Sequence, residues 1–207
     1  MNIFSFRIRF TKTGRMRFLS HHDLMRLFER ALRRTGLALR FTEGYNPHPI
    51  LSFPTALGLG LESLDEIMEF ELSTWIAPKK IESMLAEQLP EGVKVNAVEA
   101  FNRKDRSAVV FVEYEASAPP DPALPDRIRD FLAKREHKIE RKSDKGGKTV
   151  EIRQYVQALE ADGPKILLRI LVTDRGTAKP EEVLRAVGVE PGPAVRIVKT
   201  YTEVGTR

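Results

Sequence analysis

A single switch of hydrophobic period within the first 35 residues constrains this chain more than any other feature. From Phe4 to Thr11 (FSFRIRFT), Phe4, Phe6, Ile8 and Phe10 occupy every second position, with Ser5, Arg7 and Arg9 between them. Period two with one apolar face predicts a half-buried strand that displays two arginines on its other face. After a turn at Lys12–Gly14 the period changes. Leu24, Leu27, Phe28, Ala31 and Leu32 recur at helical spacing and form one apolar stripe, with Arg26, Arg30, Arg33 and Arg34 largely off it. Ser20 is placed as the N-cap, with Asp23 three residues on as in a capping box, and Gly36 as the stop.

The alternation of elements continues beyond this pair. Residues Leu37–Thr42 read as a second strand and Ile67–Ser73 (IMEFELS) as a third, with Glu66, Glu69 and Glu71 expected mostly on the latter's exposed face. Between them runs a loop, Glu43–Glu66, containing Pro47, Pro49, Pro54, Gly58 and Gly60. A loop that long in a compact domain is usually functional or folded back on itself. Pro78 opens a helix through Leu89, and Val93–Phe101 is a fourth strand, which completes the order βαββαβ.

A polar linker is expected at Asn102–Ser107. Beyond it come strands at Val109–Ala116, His137–Lys142, Thr149–Leu159, Lys165–Thr173 and Ala194–Val204, with helices at Pro122–Lys134 and Pro180–Val187 and a turn at SDKGGK. The expected fold is therefore α+β, two tandem ferredoxin-like (βαββαβ) modules over residues 1–102 and 108–207. One strand segment exceeds the repeat, and the halves share pattern but no evident sequence identity.

The chain has 207 residues, of which 42% are hydrophobic and 30% charged, enough apolar material for real cores. Its apolar runs fall well short of a membrane-spanning helix, and MNIFSFRIRF does not have a signal-peptide layout. A cytoplasmic location is expected. There is no cysteine, which removes disulfides, thiolate nucleophiles and zinc–thiolate sites, and no iron–sulfur cluster can be ligated in the ordinary way. No cofactor or metal is expected.

Charge is segregated along the chain. Residues 1–40 carry ten Lys/Arg against two acids, whereas residues 41–102 carry three against ten. Either the N-terminal strand and helix build a basic surface, or folding interleaves the two segments and cancels the field. The basic set is nearly all arginine: Arg7, Arg9, Arg15, Arg17, Arg26, Arg30, Arg33 and Arg34. Arginine binds phosphate bidentately and stacks on bases, so this set points to a polyanion. Phe18 and Tyr45 offer stacking of the kind that unpaired RNA uses.

His21 and His22 open the basic helix, where bound anions are favoured and a neutral imidazole can serve as a general base or donate to phosphate. One of them packing under the Tyr45 loop while the other is solvated is the structural alternative. In Tyr45-Asn46-Pro47-His48-Pro49 each proline extends the residue before it, so Asn46 and His48 are displayed on a stiff backbone, for recognition or as a structural corner. The adjacent His21 and His22 point about 100° apart on a helix, which disfavours a shared metal ion. The Gly58-Leu59-Gly60 stretch lacks a P-loop lysine, and no catalytic constellation is complete.

The segments RMRFLSHHDLMRLFERALRRTGL, GYNPHP and SFPTALGLGLES resemble the radical SAM-linked family of unknown function, most closely across residues 6–72. Its pattern reads S-H-x-D-L-M-R before the basic helix, matched by Ser20, His21, Asp23, Leu24, Met25 and Arg26. After it comes G-[FY]-N-P-H-P, matched by Gly44, Tyr45, Asn46, Pro47, His48 and Pro49, while His22 falls at the variable position. The resemblance implies a stand-alone partner of a radical SAM protein that holds its own iron–sulfur cluster and S-adenosylmethionine. It implies no activity.

The expected function is an RNA-binding adaptor without catalysis of its own, which presents ribosomal or transfer RNA for modification. Its RNA- or anion-binding residues would be Arg7, Arg9, Arg17, His21, Arg26, Arg30, Arg33, Arg34, Tyr45, Asn46 and His48. Two alternatives stand beside it. One is a metal-independent RNA endonuclease resembling the CRISPR repeat-processing enzymes, for which residues 188–192 (GVEPG) are a poor match to the glycine-rich loop. The other is a protein-docking adaptor that binds no nucleic acid.

Overall fold

The computed structural model describes residues 2–102, 107–143 and 146–206. Most of the expected linker Asn102–Ser107, and Asp144 and Lys145 of the SDKGGK turn, lie outside these residues. The architecture is α+β, with four helices and mostly antiparallel strand pairing among the described residues. The chain divides into two compact units, Met1–Ala108 with Val204–Arg207, and Val109–Glu203.

The first unit runs β1 (Phe4–Lys12), a 3-10 turn (Gly14–Phe18), α1 (His21–Arg34), β2 (Leu51–Ser52), β3 (Glu62–Leu72), α2 (Pro78–Ala86) and β4 (Val93–Phe101). Strand β1 lies between β3 and β4 and is antiparallel to both, and β2 pairs antiparallel with the other edge of β3. The alternation in β1 does what its spacing dictates. Phe6, Ile8 and Phe10 are fully buried in a core shared with Leu24, Phe28, Ala31 and Leu32 of α1 and Ile81 and Leu85 of α2. Helix α1 begins where expected, with the Asp23 N–H donating to Ser20 Oγ at 3.2 Å. It stops after Thr35, where Gly36 takes the left-handed φ of +69° that glycine adopts without a Cβ clash.

Two expectations for this unit change. Residues Leu37–Thr42 do not form a strand; they make isolated bridges, Leu39 to Leu72 and Phe41 to Pro49. The segment instead doubles back on itself: Ile50 N–H donates to Arg40 O at 2.8 Å and Thr42 N–H to His48 O at 2.8 Å. Pro49 has no N–H with which to extend that ladder. The second change concerns Glu66, Glu69 and Glu71, which are buried, at 1%, 6% and 4% exposure, rather than on an exposed face. Strand β3 is flanked on both edges, and arginines from neighbouring segments pair with Glu69 and Glu71.

The second unit runs β5 (Ser107–Ser117), α3 (Leu124–Ala133), β6 (Lys138–Ser143), β7 (Gly146–Glu151), a 3-10 turn (Arg153–Tyr155), β8 (Val156–Asp162), β9 (Lys165–Thr173), β10 (Gly176–Thr177), α4 (Pro180–Ala186) and β11 (Arg196–Thr206). Strand β9 is antiparallel to β5, β8 and β10, and β5 neighbours β11. The expected strand Thr149–Leu159 is broken in two. The Glu151 carboxylate accepts backbone N–H bonds from His137, Arg153 and Gln154 at 3.0, 2.6 and 3.1 Å, which bends the chain into the 3-10 turn. Strand β7 pairs with β6 as a separate hairpin, held to α4 by a two-pronged Arg141–Glu182 bond with both contacts at 2.7 Å.

Phe28 is fully buried, 4.7 Å ring to ring from Phe10, so Phe28→Ala is expected to cost about 3–5 kcal/mol in urea unfolding. His137 lies against the Phe131 ring, and burial followed by nearby Lys134 holds its imidazole below the ordinary pKa, with Glu151 opposing. The unfolded chain therefore takes the proton first. This contribution to stability is full above about pH 6.5 and is lost as pH falls through the folded value. His137→Gln is expected to flatten the fall of the melting temperature between pH 7 and pH 5, and an unchanged slope would count against the assignment.

Candidate nucleic-acid interface

The face of β1 opposite the helices carries Ser5, Arg7 and Arg9, and the strand register sets what each one meets. Arg7 lies opposite Glu69 of β3 and Glu99 of β4. Its guanidinium reaches Glu69 at 3.1 Å and Glu99 at 2.9 Å and lies 4.7 Å over the Phe101 ring. Arg9 binds Asp65 at 2.6 Å, and Arg40 binds Glu71 at 2.5 Å. The side chains of Arg7 and Arg9 are only 12% and 24% exposed. Here the basic and acidic segments of the sequence interleave, and the field of these arginines is largely cancelled.

Below the start of α1 sits Lys12, 1% exposed. Its ammonium donates to Leu19 O at 2.8 Å and Arg17 O at 3.4 Å. Burial lowers its pKa, and the nearby Glu66 carboxylate opposes that shift. Glu62 accepts the Gly14 N–H at 2.9 Å and stands 3.9 Å from Arg17. These contacts tie down the 3-10 turn that delivers the chain to the Ser20 cap. Arg17 then stacks over Phe18 at 4.7 Å, with Phe18 exposed.

On α1, Arg26, Arg30, Arg33 and Arg34 are all exposed. At about 100° per residue they fall within an arc of about 100°, opposite the apolar stripe, over about 12 Å of helix. Arg33 binds Glu29 at 3.0 Å and stacks over Phe41 at 4.9 Å, while Arg34 donates to Gln88 Oε1 at 2.9 Å and Gln88 O at 2.7 Å. Arg30 Nε donates to Arg26 O at 3.3 Å. Neither Arg26 nor Arg30 has a carboxylate partner among the described residues.

The loop after α1 returns to the same helix. Thr42 and His48 close a tip by two bonds, Thr42 N–H to His48 O at 2.8 Å and His48 N–H to Thr42 Oγ1 at 3.1 Å. The His48 ring approaches Glu29 at 3.6 Å. Tyr45 stands at that tip with its side chain wholly in solvent, at 104% exposure, and Asn46 is exposed beside it. The remainder of the long loop folds back: Phe53 packs against Phe10, Phe28 and His21, with ring separations of 6.2, 5.9 and 5.5 Å.

The structure thus gathers Arg26, Arg30, Arg33, Arg34, Tyr45, Asn46 and His48 on one flank. Arg7 and Arg9 lie in the ladder, and Arg17 and His21 lie at the start of α1. His21 packs on Phe53, half-buried, while His22 is exposed. His48 contacts Glu29, eight residues and about 12 Å along the axis from His21, so the two histidines do not share one centre. No group of three or more His, Asp or Glu suited to a metal ion occurs among the described residues. Sequence reasoning missed Lys12, Phe53 and the buried carboxylates. The matched alternation of arginines in β1 and glutamates in β3 was the available signal for the last of these.

Residues 5–183 match the model of a family described as an uncharacterized protein conserved in bacteria, DUF2344. The chain belongs to the DUF2344 family. None of the curated proteins matches it. Among solved structures it is similar to a chain of a Cbf5-Nop10-Gar1 complex, at 13% identity and a TM-score of 0.45 over 95% of this chain. The chain spans 48% of that protein's length. Among the described residues no helix is long and apolar enough to cross a membrane.

Replacing Lys12 with Met removes the donor to Leu19 O and Arg17 O and takes the ammonium away from Glu66. The expected loss, read by urea unfolding, is about 3–5 kcal/mol. Arg15→Ala, exposed on the same turn, is expected to stay within about 0.5 kcal/mol of the wild type.

Proposed function

We propose that this protein is an RNA-binding adaptor, without catalysis of its own, that works in the cytoplasm beside a radical SAM protein holding its own iron–sulfur cluster. One observation carries the reading: four exposed arginines on one side of α1, with the exposed Tyr45 on a tip fastened to that same helix. Arginine forks grip phosphates, and a solvent-exposed tyrosine ring offers a stacking face for an unpaired base. Arg26 and Arg30 gain most from a phosphate, because neither has a carboxylate partner among the described residues. The radical SAM partnership rests on the S-H-x-D-L-M-R and G-Y-N-P-H-P motifs.

We read each unit as a ferredoxin-like module. The neighbour order β4-β1-β3-β2 supports this in the first, and β11-β5-β9-β8 in the second, where β6 and β7 are an insertion. Arg7 and Arg9 then contribute to the fold more than to RNA, and RNA meets α1.

The test is crosslinking and sequencing of RNA bound in cells, comparing wild type with Arg30→Glu/Arg33→Glu. Enrichment of one RNA region that disappears in the double variant is the expected result. No enrichment over that variant would overturn the reading and leave α1 as a protein-docking surface. Cleavage of the enriched RNA that is lost in His21→Ala or His48→Ala, with binding intact, would contradict the adaptor role and favour the endonuclease.

A further inference from the structure

An open groove separates the last two turns of α1 from the Glu87–Pro90 turn that joins α2 to β4. It measures about 470 Å³, with Leu27, Arg30 and Arg34 on one side and Glu87, Gln88, Leu89 and Pro90 on the other. That volume falls in the range of about 300–1,000 Å³ that small-molecule sites occupy. Backbone bonds hold the far wall: Gln88 N–H donates to Leu85 O at 2.9 Å, and Val93 N–H to Pro90 O at 3.1 Å. Leu27 and Leu89 are partly buried and pack against the core, so together with Pro90 they give the groove an apolar lining.

Arg30 and Arg34 are four residues apart and therefore neighbours on the helix surface. Arg34 is fixed in place: Nε donates to Gln88 Oε1 at 2.9 Å and Nη2 to Gln88 O at 2.7 Å, which leaves Nη1 without a partner among the described residues. Arg30 is tethered by one exposed bond, Nε to Arg26 O at 3.3 Å, and both of its terminal nitrogens are unpartnered among the described residues. Against these two cations the lining holds one carboxylate, Glu87, which is exposed. A guanidinium fork matches phosphate in geometry and in charge. Helix α2 ends beside the groove, and Arg34 on the Gln88 carbonyl offsets the partial negative charge of that end.

We propose that this groove seats one unpaired nucleotide of a bound RNA strand, its phosphate bridged by Arg30 and Arg34 and its base laid on Leu27, Leu89 and Pro90. The proposal rests on the reading of α1 as an RNA-binding helix and narrows it, because a base stacked inside a duplex cannot enter a side groove. The lining joins the two halves of the ligand. Inorganic phosphate meets the arginines and leaves the apolar residues wet, a neutral nucleoside does the reverse, and a nucleotide satisfies both. Glu87 opposes the phosphate and limits the affinity of a single nucleotide. Tight binding then needs the further contacts that a strand makes along α1.

Calorimetric titration of the full-length protein at low salt compares adenosine monophosphate, inorganic phosphate, adenosine and a tetra-adenylate RNA. Adenosine monophosphate is expected to bind about tenfold more tightly than phosphate or adenosine, and tetra-adenylate more tightly still. Arg34→Gln is expected to weaken adenosine monophosphate by about tenfold. Lys80→Gln, the same charge change on an exposed part of α2, is expected to stay within about twofold of the wild type. Arg34 also braces the Gln88 turn, so Glu87→Gln gives an independent reading: it is expected to tighten adenosine monophosphate by about threefold. No binding of adenosine monophosphate at millimolar concentration, or equally tight binding of phosphate alone, overturns the proposal. So does an Arg34→Gln that behaves like Lys80→Gln, or a Glu87→Gln that binds no more tightly than the wild type. Adenosine monophosphate bound more tightly than tetra-adenylate also overturns it, since the groove then serves a free nucleotide. RNA enriched in cells with no nucleotide bound sinks the groove and keeps the adaptor. Nucleotide bound with no RNA enriched contradicts the adaptor and, with it, the strand.

Discussion

The arginine–carboxylate ladder across β1, β3 and β4 is the constraint on which the rest of the first unit depends. Arg7 between Glu69 and Glu99, Arg9 on Asp65 and Arg40 on Glu71 tie the basic start of the chain to the acidic segment that follows it. Removing one member leaves a charge in a mostly buried setting, which costs far more than an exposed pair contributes. The same ladder fixes register, because a slip of one residue would turn Arg7 and Arg9 into the phenylalanine core.

This arrangement sorts the arginines by what they are free to do. Those on β1 answer to carboxylates within the sheet. Those on α1 project from the side of the helix opposite the core, where their contacts are a neutral amide, two backbone carbonyls, an aromatic ring and a single glutamate. The turn held by Lys12 sets where that helix begins, and the tip held near Glu29 by His48 places Tyr45 alongside it. A sheet that consumes its own charge thereby leaves a helix as the basic surface.

Much of the first unit was legible because its elements obey strong local rules. The Phe4–Phe10 alternation, the Ser20 cap and the Gly36 stop each stand where the spacing placed them. What escaped was non-local. Glu66, Glu69 and Glu71 look solvated in a single strand, but the fold buries all three, bringing Arg7 of β1 opposite Glu69, Arg40 of the loop after α1 onto Glu71 and the Lys12 ammonium near Glu66. Residues 37–42 have strand composition, but Pro49 denies them a continuous partner, and the two-residue β2 takes the edge instead. The break between β7 and β8 follows from one carboxylate, Glu151, collecting three N–H groups, which no periodicity reveals. For the candidate site, composition identified the arginines but not which of them the fold would use internally. Pairing across strands decides that.

The most direct test is a double-mutant cycle at Arg7 and Glu69, with stability and RNA affinity measured on the same four proteins. Structural arginines on β1 predict that Arg7→Met and Glu69→Met each lose about 3–5 kcal/mol, that the double variant recovers much of this, and that it binds RNA like the wild type. Singles that keep wild-type stability, with RNA binding lost in Arg7→Met and in the double variant, would contradict the account and make the ladder face the binding surface.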